Sequence, residues 1–200
     1  MLVPALTGFA TGAAFIVAFG PQNTFLLRQG LARSHVFWLC LFCAMSDLIL
    51  IVAGVAGFGI IVESYPSLPV IMTLGGAAFL FAYGIMRFRA AYQNSYDFVL
   101  SGKPVGLWAA LATCAAFTWL NPHVYLDTLV VMGAISTGYA GIAAKAAFAA
   151  GAATASFLFF FGLGYGARLL APVMRSARAW QVLDVTIGVL MCGLAIKLIS

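Results

Sequence analysis

The chain has 200 residues, of which 64% are hydrophobic and 8% charged, with a mean hydropathy of +1.07 and a formal net charge of +5. That balance excludes a soluble globular domain and leaves room for one transmembrane domain over residues 1–200, with no separate soluble module. In a soluble protein the basic surplus would point to nucleic acid, but here the basic residues flank apolar spans and report orientation instead.

Charges and helix breakers divide the sequence into six expected spans, an all-α integral membrane fold, at about 4–27, 36–61, 68–86, 106–135, 146–167 and 179–199. Met1 to Leu27 carries no basic n-region before a long apolar run, so it reads as the first span rather than a cleavable signal. A polar connection, Arg87 to Pro104, follows the third span. Arg28, Arg33, Arg87, Arg89, Lys103, Arg168, Arg175 and Arg178 fall on one side, against Lys145 and Lys197 on the other. That bias puts the loops between spans 1 and 2, 3 and 4, and 5 and 6 in the cytoplasm, with both termini outside. Asp184 and Lys197 sit near span ends and are expected to snorkel. Glu63 falls in a short outer turn and is expected to be solvated.

The stretch Thr118–Asp127 does not suit a plain span. Pro122 removes an N–H and clashes with the Thr118 carbonyl, and Asn121 can cap a new half-helix that starts at Pro122. The half-helix start presents free N–H groups and a positive dipole end, which suit an anion. A proline kink sealed by neighbouring helices is the plainer alternative. Span 1 carries a matching break at Phe19-Gly20-Pro21-Gln22-Asn23, and Gly57-Phe58-Gly59 is echoed by Gly164-Tyr165-Gly166. Three spans per half require the halves to point opposite ways. The expected fold is therefore two inverted three-helix repeats, about 1–91 and 105–200, with helices 1 and 4 broken at Pro21 and Pro122, as in secondary transporters.

Two carboxylates, Asp47 and Asp127, fall well inside the spans, Asp47 roughly 17 Å deep. A charge there costs about 3 kcal/mol or more, so each must be protonated or meet a cation. A basic amino acid has two cationic groups for the two aspartates and a carboxylate for the half-helix starts. The expected substrate-binding set is Asp47, Asp127, Gly20, Pro21, Gln22, Asn23, Asn121, Pro122 and Tyr125, with the neutral polar groups fixing orientation. Asp47, Asp127 and His123 are the candidates for proton coupling, imidazole titrating near neutral pH; His123 equally suits the satisfaction of freed carbonyls. Gly8 and Gly12 form a small-residue pair that packs helices, either within the chain or in a homodimer.

In these pieces the chain resembles the lysine/arginine exporter family of bacterial inner membranes, of the LysE type. The matching residues are Gly20-Pro21-Gln22-Asn23 with Leu27-Arg28-Gln29-Gly30, Ser46-Asp47, Thr118-Trp119-Leu120-Asn121-Pro122 with Tyr125-Leu126-Asp127, and Leu194-Ala195-Ile196-Lys197-Leu198. The resemblance covers nearly the whole chain. It implies export of lysine, arginine or related amino acids, driven by membrane energy rather than ATP, with the family's functional acids on Asp47 and Asp127. The direction of transport comes from the resemblance alone. The connection after span 3 is shorter than in some relatives.

Two other functions compete. Cys40-Leu41-Phe42-Cys43 has the spacing of a redox pair and would make the chain a membrane thiol–disulfide electron carrier. The pair is not beside either proline break, and the four cysteines, Cys40, Cys43, Cys114 and Cys192, also read as small apolar core residues. A passive channel is the second, although it needs two buried acids only if it selects cations. No Walker motif, metal-ligand spacing or hydrolase triad points to a cofactor, metal or enzyme.

Overall fold

In the computed structural model, residues 1–16, 20–57, 67–93, 106–170, 172 and 176–199 are described, the side chains of 67–73, 76, 122, 123, 126, 170, 197 and 198 excepted. The regular structure of these residues is helical throughout. Helices α1 (Leu2–Ile16) and α2 (Pro21–Leu31) are followed by α3 (Val36–Val55) and α4 (Ser67–Gln93). The second half comprises α5 (Leu107–Trp119), α6 (Pro122–Tyr125), a π-helical turn (Leu126–Val131), α7 (Met132–Thr137), α8 (Ile142–Gly166) and α9 (Ala177–Ile199). Three stretches are long and apolar enough to cross a bilayer alone: Val36–Val55, Ile142–Leu169 and Ala177–Ile196. The pair α1 and α2, whose axes differ by 81°, passes the same test together, and α5 and Asp127–Thr137 are shorter apolar helices.

Both expected breaks are present. Gly20 is extended (φ −117°, ψ 175°) and Pro21 opens α2, where its fixed φ suits a first turn and its missing N–H costs nothing. The Gly20 carbonyl accepts from both the backbone N–H and the hydroxyl of Thr24, at 3.1 and 2.9 Å. Helix α5 stops at Trp119 with Leu120 as its C-cap, and α6 opens at Pro122.

Helix packing is close because small residues let backbones touch. A Cβ on Gly8 would overlap the Phe148 carbonyl, one on Gly151 the Ala5 carbonyl, and one on Gly12 would lie 3.0 Å from the Ala152 carbonyl. The Gly8/Gly12 pair is therefore engaged within the chain, joining α1 to α8. Gly54 of α3 presses on the Thr128 carbonyl and Gly133 on Gly54 in the same way. A core of Phe25, Leu39, Phe117, Phe160, Ile187 and Met191 fills the centre. Trp38, Ile49, Val52, Leu158, Val182 and Val189 are exposed on the outside, as suits contact with lipid rather than water.

The third expected span is longer than its sequence indicated. Helix α4 runs on to Gln93, so Arg87 and Arg89 lie on a helix rather than in the polar connection. Charged residues at a membrane edge do not stop a helix, because their long side chains reach along it. The rest of that connection, and Glu63, lie outside the described residues.

Candidate functional site

The two breaks face one cavity of about 320 Å³. Its lining includes Gly20, Pro21, Gln22 and Asn23 from the first break, Asp47 from α3, and Asn121 and Asp127 from the second. The wall is completed by apolar residues such as Phe15, Ile51, Met132 and Phe160, and by Thr128 and Ser156. A cavity with mostly apolar walls and a few convergent polar groups is the usual form of a small-molecule site. Both sequence-identified acids thus reach the same space, and no Lys, Arg or His from the described residues lines it.

The polar groups differ in their engagement. Asp47 is 8% exposed and accepts a hydrogen bond of 2.8 Å at Oδ2 from Ser156 Oγ on α8. Asn23 donates from Nδ2 to the Ile16 carbonyl at 2.9 Å, which satisfies a backbone group freed where α1 ends. Gln22 Nε2 is buried without a hydrogen-bond partner, and its residue lines the cavity. A buried amide donor in that state is costly unless an acceptor arrives. Asp127 sits in the π-helical turn, a local widening that often re-aims side chains at functional sites. Tyr125 stands apart from the lining; its hydroxyl donates to the Trp119 carbonyl at 2.8 Å and ties the break together. The side chains of Pro122 and His123 lie outside the described residues.

Ser156 and Thr128 are the polar lining residues absent from the expected set. The expected repeat would pair Asp47 with a position near Thr154, but Thr154 is exposed and bonds the Ala150 carbonyl at 2.7 Å. The residue that meets Asp47 is two positions on.

Asp184 does not snorkel. It is completely buried, and its Oδ1 lies 3.2 Å from Arg28 Nε and 3.5 Å from Arg87 Nη1. Burial is possible because α2 and α4 bring two guanidiniums to the one carboxylate, which no feature of α9 alone discloses. Arg28 is therefore paired with Asp184, away from the two cavity acids.

Cys40 and Cys43 contact different partners rather than each other. Cys40 Sγ contacts the Phe160 carbonyl at 3.2 Å, and Cys43 Sγ faces Cys114 Sγ of α5 at 3.2 Å. All three are fully buried and none lines the cavity.

A family profile described as LysE type translocator matches residues 13–200. The arginine exporter proteins ArgO of Salmonella enteritidis PT4 and of Escherichia coli K12 are 43% and 42% identical to the chain over 194 residues, 96% of this chain and 90% of theirs. The protein of the same name from Klebsiella pneumoniae is 42% identical over the same extent. No solved structure matches. With several apolar helices and a profile match across nearly its whole length, the chain is a multi-pass membrane translocator rather than an enzyme. It belongs to the LysE family.

Proposed function

We propose that the chain exports basic amino acids, arginine and lysine or close analogues, across the bacterial inner membrane in exchange for protons. The observation that carries this reading is one cavity lined by Asp47, Asp127 and residues of both breaks, Pro21 and Asn121 among them. Two acids suit the α-ammonium and the side-chain cation, as electroneutrality in a low-dielectric site requires. Gln22 Nε2 and the N–H groups that open α2 and α6 suit the α-carboxylate. The cavity volume is in the range of sites for small ligands, and the arginine exporters among the relatives favour the guanidinium side chain.

In this reading Asp47 and Asp127 alternate between proton and substrate, so binding one cation releases the other. Asn23 and Tyr125 hold the broken backbones, and Asn121 and His123 complete the second break. The helices form six spans as two inverted repeats, about 1–91 and 105–200, with α1 and α2 as one broken span and α5 with the helical run from Pro122 to Thr137 as the other. The paired breaks support that arrangement. The arginine-rich ends of α2, α4 and α9 then face the cytoplasm and both termini face outward.

Counterflow of labelled arginine, lysine and neutral amino acids in proteoliposomes at two pH values tests the reading. Arginine and lysine are expected to exchange, neutral amino acids are not, and an imposed proton gradient drives uphill movement. Asp47→Asn and Asp127→Asn each abolish that uphill movement. Unchanged transport in both variants removes the proposed role of the acids, and downhill flux that persists without saturation or gradient dependence marks a channel.

A further inference from the structure

A second polar cluster lies away from the cavity. Arg28, Arg87 and Asp184 come from α2, α4 and α9. Each helix also lines the cavity, through Gln22, Leu80 and Leu194 respectively. The cluster is six, seven and ten residues from those positions, which places it roughly 9–15 Å along the helices in a common direction. On α2, α4 and α5, Phe25, Phe79, Tyr83 and Phe117 form an aromatic cluster whose rings contact one another at centroid distances of 4.8–6.4 Å.

Among the described residues, the cluster carries more positive charge than negative. Two guanidiniums meet one carboxylate, and the Arg87–Asp184 contact at 3.5 Å lacks hydrogen-bond geometry. Arg87 Nε and Nη1 are buried with no hydrogen-bond partner. The Arg87 guanidinium lies over the Tyr83 ring at 5.0 Å, and Arg28 over Trp180 at 5.8 Å. Aromatic faces orient a guanidinium but do not accept its in-plane N–H donors. A buried guanidinium with unfilled N–H donors calls for an anionic oxygen acceptor, such as a second carboxylate.

We propose that Arg28, Arg87 and Asp184 form an intake station, where the α-carboxylate of an amino acid arriving from the cytoplasm takes the open donors of Arg87 and displaces Asp184. This rests on the export function and orientation proposed above. Asp184 acts as an internal stand-in for the substrate carboxylate and holds α2, α4 and α9 together while the station is empty. Displacing it loosens the contact that joins these three helices, so intake and opening are linked. The station reads the carboxylate, while the cavity acids read the cations.

The test uses the full chain in inside-out vesicles, with arginine and arginine methyl ester, which lacks the anionic carboxylate. Wild-type uptake of arginine shows first that the export reading holds; its absence overturns that reading, and the station with it. Given uptake, Arg87→Gln is expected to raise the KM for arginine about tenfold, the scale of one charge-assisted hydrogen bond, while leaving the ester's KM within about twofold. Equal changes for arginine and ester, or no change for either, overturn the station. Arg87→Gln combined with Asp184→Asn keeps the cluster's net charge and guards against misfolding of the single variant. It is expected to show the same loss of discrimination. Discrimination lost at the opposite face, or only when anionic lipid is omitted, assigns Arg87 to another oxyanion and overturns the proposal.

Discussion

Ser156 of α8 hydrogen-bonds the Asp47 carboxylate of α3 at 2.8 Å, joining the two halves of the chain at the cavity wall. A hydroxyl donor can hold a carboxylate in one rotamer without neutralising it. Ser156→Ala removes the donor and leaves a methyl group in its place. The expected result is a fall of about tenfold in arginine efflux rate, the scale of one hydrogen bond to a charged group. Protein amount in the membrane stays near wild type. Ser156→Thr, which keeps the donor, recovers part of the rate, and Thr154→Ala, on the exposed side of the same helix, changes little.

The contrast between Ser156 and Thr154 shows how far the sequence could be read. The breaks at Pro21 and Pro122 and the acids Asp47 and Asp127 were legible because each violates a local rule of membrane helices. A proline stops the hydrogen-bond ladder wherever it stands, and a carboxylate avoids lipid wherever it stands. The rotation of α8 was not legible. Its residues are apolar or small nearly all round, so no polar stripe marks which hydroxyl points inward. Asp184 was misread for a related reason: its depth along α9 indicates an edge, whereas its burial depends on arginines supplied by α2 and α4. The π-helical turn around Asp127 has no sequence mark of its own.

The α1–α8 contact sets a stability prediction. Gly8 and Gly151 face the Phe148 and Ala5 carbonyls with no space for a side chain. Gly8→Val and Gly151→Val force the helices apart, at a cost of about 1–3 kcal/mol or more. Both variants should unfold at lower temperature in detergent than the wild type. Gly162→Val is the control, because nothing lies within 4 Å of a Cβ there, and its melting temperature should be unchanged.

The buried thiols allow the electron-carrier alternative to be tested directly. Cys40 and Cys43 take different partners, and Cys43 lies 3.2 Å from Cys114 across α3 and α5. Replacing Cys40, Cys43 and Cys114 together by Ala removes all three fully buried cysteines. Export is expected to remain within about twofold of wild type, since small apolar swaps in a core cost little when volume is nearly kept. Loss of transport in a variant that still reaches the membrane and melts normally would restore a redox role.

Asp184 and Arg87 should differ in what their loss does to the fold. Arg87→Gln leaves the Arg28–Asp184 pair at 3.2 Å intact and removes the cation whose donors are unfilled. Asp184→Asn instead leaves two guanidiniums in one buried place without the carboxylate that drew them together. Stranding buried charge costs about 3–5 kcal/mol, whereas removing a whole ion pair is often close to neutral. Thermal unfolding in detergent should therefore rank Asp184→Asn as the least stable, Arg87→Gln close to wild type, and the double variant between them. A double variant no more stable than Asp184→Asn would mean that the two residues do not share their electrostatics, whatever their separation.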